Sequence, residues 1–95
     1  MRLAWTLQAI EDLGHIRQYI AEDDEKAAAR IVATIVAQAE QQLPNFPRSG
    51  RVGRVEGTFE LVVPRTPFII AYDLATDVVR VLAVLHASRR WPESF

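Results

Sequence analysis

The segment Gly57–Phe95, GTFELVVPRTPFIIAYDLATDVVRVLAVLHASRRWPESF, limits the fold more than any other part of the chain. It holds three apolar runs separated by two turn signals. Phe59–Val63 alternates as a strand does. Pro64-Arg65-Thr66-Pro67 stops it, because each proline fixes φ and brings no amide donor to a ladder. Phe68–Asp73 is almost continuously apolar, as a central strand buried on both faces would be. Ala75-Thr76-Asp77 turns the chain, and Val78–His86 follows as the longest strand. Connections this short join antiparallel neighbours, so the three strands form a meander. Simple alternation in the last strand puts Val79, Val81, Ala83 and Leu85 on one face. Val78, Arg80, Leu82, Val84 and His86 take the other.

Such a sheet needs a cover, and the upstream half supplies one. Arg2–Thr6 alternates weakly, with Leu3 and Trp5 on one side, and reads as a first strand. Thr6 then caps a helix over Leu7–Ala21, whose apolar residues Ile10, Leu13, Ile16 and Ile20 recur near the helical period. Gly14 inside it lowers helix stability by about 1 kcal/mol against Ala and leaves room for close helix–helix approach. The acidic run Glu22–Glu25 breaks the pattern. Asp23 or Asp24 caps a second helix, and Glu25 suits its dipole. That helix runs over Glu25–Leu43 with a stripe of Ala28, Ile31, Val32, Ile35, Val36, Ala39 and Leu43, and Pro44 ends it. The short connection makes the pair an antiparallel hairpin.

Residues 44–58, PNFPRSGRVGRVEGT, form the longest irregular stretch, with a short strand expected at Arg54–Glu56. A loop of this length in a small domain is either functional or partly mobile. The expected fold is α+β, a single domain over 1–95. Its order is β-α-α-β-β-β, with the helical hairpin packed on one face of a small, mainly antiparallel sheet.

Composition removes several function classes. The chain has no cysteine, which excludes disulfides, thiolate catalysis and zinc–thiolate sites and suits a reducing cytoplasm. No apolar run approaches the ~18 residues that span a bilayer. The start, MRLAWTLQAIEDL, turns acidic and helix-patterned at once, unlike a secretory signal. A net charge of −1 argues against broad affinity for nucleic acid, and no sequence-specific binding of it by this chain alone is expected. The charge is unevenly placed, however. Acids concentrate in residues 7–43, and arginines follow at Arg48, Arg51, Arg54, Arg65, Arg80, Arg89 and Arg90.

The polar tail of the meander holds the first candidates. His86 beside Arg89 and Arg90 has the make-up of a general acid/base with cationic support, or of a strand-end histidine bonded locally. The absence of a paired base favours the local reading. Arg89-Arg90-Trp91 is either a recognition tip, since Arg and Trp dominate binding hot spots, or a turn in which Trp91 folds back over the sheet. Arg65, between prolines, is presented for a carboxylate or phosphate, or is simply solvated. Arg48, Arg51 and Arg54 lack the spacing of a phosphate-binding loop, so solvation is expected there. Glu11 and Asp12 read as solvated helix residues, and His15 as a helix-surface one. The two histidines have no ligand spacing, so neither a metal nor another cofactor is expected.

Several features in order resemble the RelE/ParE superfamily of toxins from bacterial type II toxin–antitoxin modules. They begin with Trp5, Ala9, Asp12-Leu13, Ile16, Tyr19-Ile20, Ala27–Ala29 and Leu43-Pro44. They continue with Gly50-Arg51-Val52-Gly53, Gly57-Thr58, Glu60–Val63, Pro67–Tyr72, Val84-Leu85-His86 and Trp91-Pro92. The resemblance spans essentially the whole chain. It implies an antitoxin partner whose segment wraps the toxin, and one of two activities. RelE-like members cleave mRNA on the ribosome; ParE-like members inhibit DNA gyrase. A nuclease needs a base, an acid and cations around the phosphate. The basic position usual before the strand tyrosine is apolar here, since Phe68-Ile69-Ile70-Ala71 precede Tyr72. The FIIAY strand therefore looks like the ParE branch, with Arg65, His86, Arg89, Arg90 and Trp91 as partner-binding residues. Under the nuclease alternative, His86, Arg65, Arg80 and Arg89 would carry the chemistry. An inactive toxin-derived binding module is the third reading.

Overall fold

A computed structural model describes all 95 residues. Strand β1 (Arg2–Trp5) leads into helix α1 (Leu7–Ala21) and helix α2 (Glu25–Gln42). Four strands follow: β2 (Arg51–Val52), β3 (Phe59–Val62), β4 (Phe68–Ala75) and β5 (Val78–His86). The sheet order is β1-β5-β4-β3-β2, with β1 parallel to β5 and every other pair antiparallel. This is the expected α+β arrangement, with the hairpin covering one sheet face. No helix is long and apolar enough to cross a membrane.

Both helix starts are closed by the residues the sequence offers. Thr6 Oγ1 accepts the Ala9 N–H at 3.2 Å and donates to the Val81 carbonyl at 2.8 Å, so one hydroxyl caps α1 and ties it to β5. Asp24 Oδ1 accepts the Ala27 N–H at 3.0 Å. The α1 stripe differs from expectation by one residue. Ala9, not Ile10, continues the series Leu13, Ile16 and Ile20. Ala9 is fully buried, and Ile10 is 54% exposed. The spacing 9-13-16-20 holds one face better than 10-13-16-20, and a small side chain suits the close approach to the sheet. Gly14 is exposed, and a Cβ there would meet nothing within 4 Å, so it does not serve a helix–helix contact.

The core joins Ala9, Ile35, Ala39 and Leu43 of the helical side to Leu61, Val63, Phe68, Ile70, Tyr72, Val79, Val81 and Val84 of the sheet. Val84 is on the helix side because β5 does not alternate simply. Ala71 pairs with Ala83 but Tyr72 pairs with Val81, so Leu82 is an extra residue. This bulge flips the second half of the strand. Val84 and His86 thereby join the helix-covered face, while Ala83 and Leu85 turn outward.

The short strand of the long loop is Arg51–Val52 rather than Arg54–Glu56. Arg54 cannot pair there because its N–H is taken by Glu60 Oε2 at 2.8 Å. Gly53 N–H instead donates to the Thr58 carbonyl at 2.8 Å, closing a small loop over Val55. The outer sheet face carries Glu60, Ile69, Ala71 and Ala83, all buried although the helices lie on the other side. The 53–58 loop and the C-terminal tail lie over it. Pro92, Ser94 and Phe95 border a shallow hollow with Leu82 and Leu85.

Candidate functional site

A groove of about 870 Å³ opens between the helical hairpin and the end of the sheet where β4 begins and β5 finishes. Its floor is apolar, built from Ile16 and Ile20 of α1, Ile31 of α2, Phe68 of β4 and Val84 of β5. The bulge is what puts Val84 and His86 here. His86 pairs across the ladder with Phe68, and the rings meet edge-on at 5.6 Å between centroids. The rim is basic, formed by His86, Arg89, Arg90 and His15. Tyr19 stands at the edge with the Arg89 guanidinium 5.9 Å from its ring centroid.

His86 is tied to its own turn. Its Nδ1 accepts the Ser88 N–H at 3.1 Å and lies 2.8 Å from Ser88 Oγ. Nδ1 as an acceptor leaves the ring proton on Nε2. The His86 carbonyl accepts twice, from Arg89 N–H at 3.1 Å and from Trp91 Nε1 at 3.2 Å. Ala87 N–H donates to the Pro67 carbonyl at 2.8 Å, which stitches this turn to the β3–β4 turn.

The other sequence candidates fall into different settings. Arg65 occupies the β3–β4 turn at φ 64°, a left-handed conformation that costs a non-glycine residue about 1–2 kcal/mol. It is exposed and lies beyond the groove lining. None of Arg65, Arg89 and Arg90 makes an ion pair. Arg80 lies on the outer face, six residues from His86 along β5 and so about 20 Å away. Its Nε donates to Asp73 Oδ1 at 2.8 Å, and that carboxylate raises its pKa further above the usual guanidinium value. Trp91 folds back, with the Arg54 guanidinium stacked 3.7 Å from its ring centroid. The structure thus gathers His86, Arg89 and Arg90 at one rim and leaves Arg80 far from them.

Two contributors escape the sequence patterns. Asp12, expected to be solvated, lines the groove, and its Oδ2 accepts the Val84 N–H at 3.0 Å beside the bulge. Glu60, 2% exposed, accepts from Arg51 Nη2 at 2.9 Å and from Arg54 Nε at 3.1 Å. Its burial raises the carboxyl pKa, but hydrogen bonds from the Arg54 N–H and both guanidinium groups outweigh this and hold it below the usual range. An acid inside the apolar run Glu60–Val63 was the available signal, since a buried carboxylate requires partners. Tyr72 is fully buried, its hydroxyl accepting the Gly50 N–H at 2.9 Å. Burial pushes its pKa up.

The family described as "ParE toxin of type II toxin-antitoxin system, parDE" matches residues 3–91, nearly the whole described chain. The protein belongs to the ParE toxin family. The chain is similar to the putative toxin Y4kP of Sinorhizobium fredii (strain NBRC 101917 / NGR234), 46% identical over 92 residues, covering 97% of this chain and 94% of that one. Toxin RelE2 of Caulobacter vibrioides is 32% identical over 88 residues, covering 93% and 97%. In solved structures, the chromosomal ParDE system from P. aeruginosa contains a chain that matches with a TM-score of 0.79 at 29% identity, covering 90% of this chain and 95% of that one. The RelBE2 toxin–antitoxin complex from Mycobacterium tuberculosis matches with a TM-score of 0.66 at 27% identity, covering 90% and 88%. The ParE family and the shared fold therefore stand on both sequence and structure.

Proposed function

We propose that this ParE-family chain is a toxin that inhibits DNA gyrase and is neutralised by a cognate antitoxin. The observation that carries the reading is the make-up of the groove. An apolar floor ringed by unpaired Arg89, Arg90 and the His86 ring suits capture of an amphipathic, acidic protein segment. It does not resemble a cluster assembled for phosphate chemistry, because His86 Nδ1 is turned to Ser88 and Arg80 is engaged by Asp73. The similar solved chains come from a ParDE toxin–antitoxin system and a RelBE2 toxin–antitoxin complex, which supports an antitoxin as a partner of this chain.

A RelE-like, ribosome-dependent nuclease is the second reading, supported by the likeness to toxin RelE2. Under it, His86 Nε2 and Arg89 would act on the messenger phosphate. Purified protein added to a gyrase supercoiling reaction, and separately to translating ribosomes, separates the two. Gyrase inhibition with intact messenger is the expected result. Codon-positioned messenger cleavage that disappears in His86→Ala would replace the gyrase reading with the nuclease one.

A further inference from the structure

The basic rim of the groove is connected to the far side of the sheet through a short series of contacts. Buried Glu60 holds the Arg54 guanidinium by Nε at 3.1 Å and accepts the Arg54 N–H at 2.8 Å. The held guanidinium lies over the Trp91 ring, its Cζ 3.7 Å from the centroid. Trp91 Nε1 in turn donates to the His86 carbonyl at 3.2 Å, the same oxygen that accepts the Arg89 N–H. The turn from His86 to Trp91 is therefore closed from the outer face, and Arg89 and Arg90 leave it on the groove side.

We infer that Arg54 is a positioning residue for the groove, acting through Trp91 to set where Arg89 and Arg90 stand on its rim. The chemistry favours a specific role for arginine here. Its planar group can donate a fork of hydrogen bonds from its edge to Glu60 while its face covers the indole, which a lysine ammonium cannot do. Tail residues 87–90 are exposed and make no ion pair; their hydrogen bonds run to His86 within the turn and from Ala87 to Pro67, so the Trp91 stack is the contact that ties the end of this turn to the outer face. Without the stack, Trp91 exchanges a held partner for water and the two arginines sample many positions. A groove partner then has to bear the entropy of ordering them.

The inference rests on the groove being the toxin's working surface, yet its first test needs no target. In ¹⁵N-labelled protein, the Arg89 Nε–H resonance reports its place beside the Tyr19 ring. Arg54→Ala, Arg54→Lys and Trp91→Ala should each return that resonance to its random-coil position. Tyr72→Phe loosens the same loop by removing the Gly50 acceptor, without touching Trp91, and should leave the resonance in place. In cells, induction of each of the three displaced variants should arrest growth less than the wild type does. An unmoved Arg89 signal in Arg54→Ala overturns the inference, as does an equal shift in Tyr72→Phe, which would mark general loosening. A failed gyrase assay with the resonance shifts intact removes the target assignment and leaves the positioning role standing.

Discussion

Asp12 on α1 and Val84 on β5 are joined by a 3.0 Å hydrogen bond from the strand amide to the helix carboxylate, across 72 residues of sequence. The bond sits two residues past the extra residue Leu82, where the bulge redirects the strand. It keeps a strand amide supplied with an acceptor while β5 turns Val84 into the core and His86 toward the groove. Asp12→Ala should therefore destabilise the fold by about 1–3 kcal/mol, the range for a partly buried donor left without its partner. Asp12→Asn, which keeps an acceptor oxygen, should lose less. Urea denaturation of the two variants beside the wild type measures both effects. Equal stability for all three would remove Asp12 from the account of the bulge.

Glu60 gives the protein an acid-sensitive fastening. Its pKa is depressed in the folded state, because the Arg54 and Arg51 hydrogen bonds outweigh the burial that raises it. A depressed folded value means the contribution is fully present above the ordinary carboxylate value near 4.5. It is lost as pH falls through the lower folded value. Stability measured from pH 6 downward should thus fall more steeply in the wild type than in Glu60→Gln, with the difference confined to the region below about 4.5. At neutral pH, Glu60→Gln should be less stable by about 1.5–3 kcal/mol, the scale of a hydrogen bond to a charged group. Parallel acid-unfolding curves for the two proteins would contradict this.

The two expected helices, the meander and their layering are legible in the sequence because each follows from local periodicity and turn chemistry. What escaped reading depends on contacts between distant residues. Nothing local in VVRVLAVLH marks Leu82 as the bulged position; Asp12 and Thr6 reach β5 from α1, and the register follows from the sheet as a whole. The local pattern places β2 three residues too late because Arg54 looks strand-competent until its amide is engaged by Glu60. His86, Arg89 and Arg90 could be picked out by type, but the groove that collects them needs Ile16, Ile20 and Ile31 from two helices. The stack of Arg54 on Trp91 links segments far apart in the chain, so it leaves no periodic trace.

Two glycines in this chain should respond in opposite directions. Gly14 is helical and its absent Cβ would point into open space, so Gly14→Ala should stabilise by about 0.5–1 kcal/mol through reduced backbone entropy in the unfolded chain. At Gly50 a Cβ would come within 2.6 Å of the Tyr72 hydroxyl and 2.8 Å of the Glu60 carbonyl oxygen. Tyr72 is fully buried and the second atom belongs to the backbone, so neither yields easily. Gly50→Ala should cost about 1–3 kcal/mol, as overpacking does. Thermal melts of both variants test the pair, and a stabilised Gly50→Ala would show that the 50–58 loop is not held against the sheet as described.

The separation of Arg80 from the groove gives the sharpest functional contrast. Arg80 and Arg89 are both exposed arginines on or just beyond β5, equal in charge and close in sequence. Arg80 is held by Asp73 on the outer face, while Arg89 stands unpaired at the groove beside Tyr19. If activity or antitoxin capture depends on the groove, Arg80→Ala should match the wild type in growth arrest after induction. Arg89→Glu combined with Arg90→Glu should abolish it, because reversing two rim charges opposes an acidic segment and adds like-charge repulsion. Capture of an acidic peptide, measured by its salt dependence, should weaken only in the rim variant. Loss of growth arrest in Arg80→Ala with the rim variant still toxic would move the working surface to the outer face of the sheet.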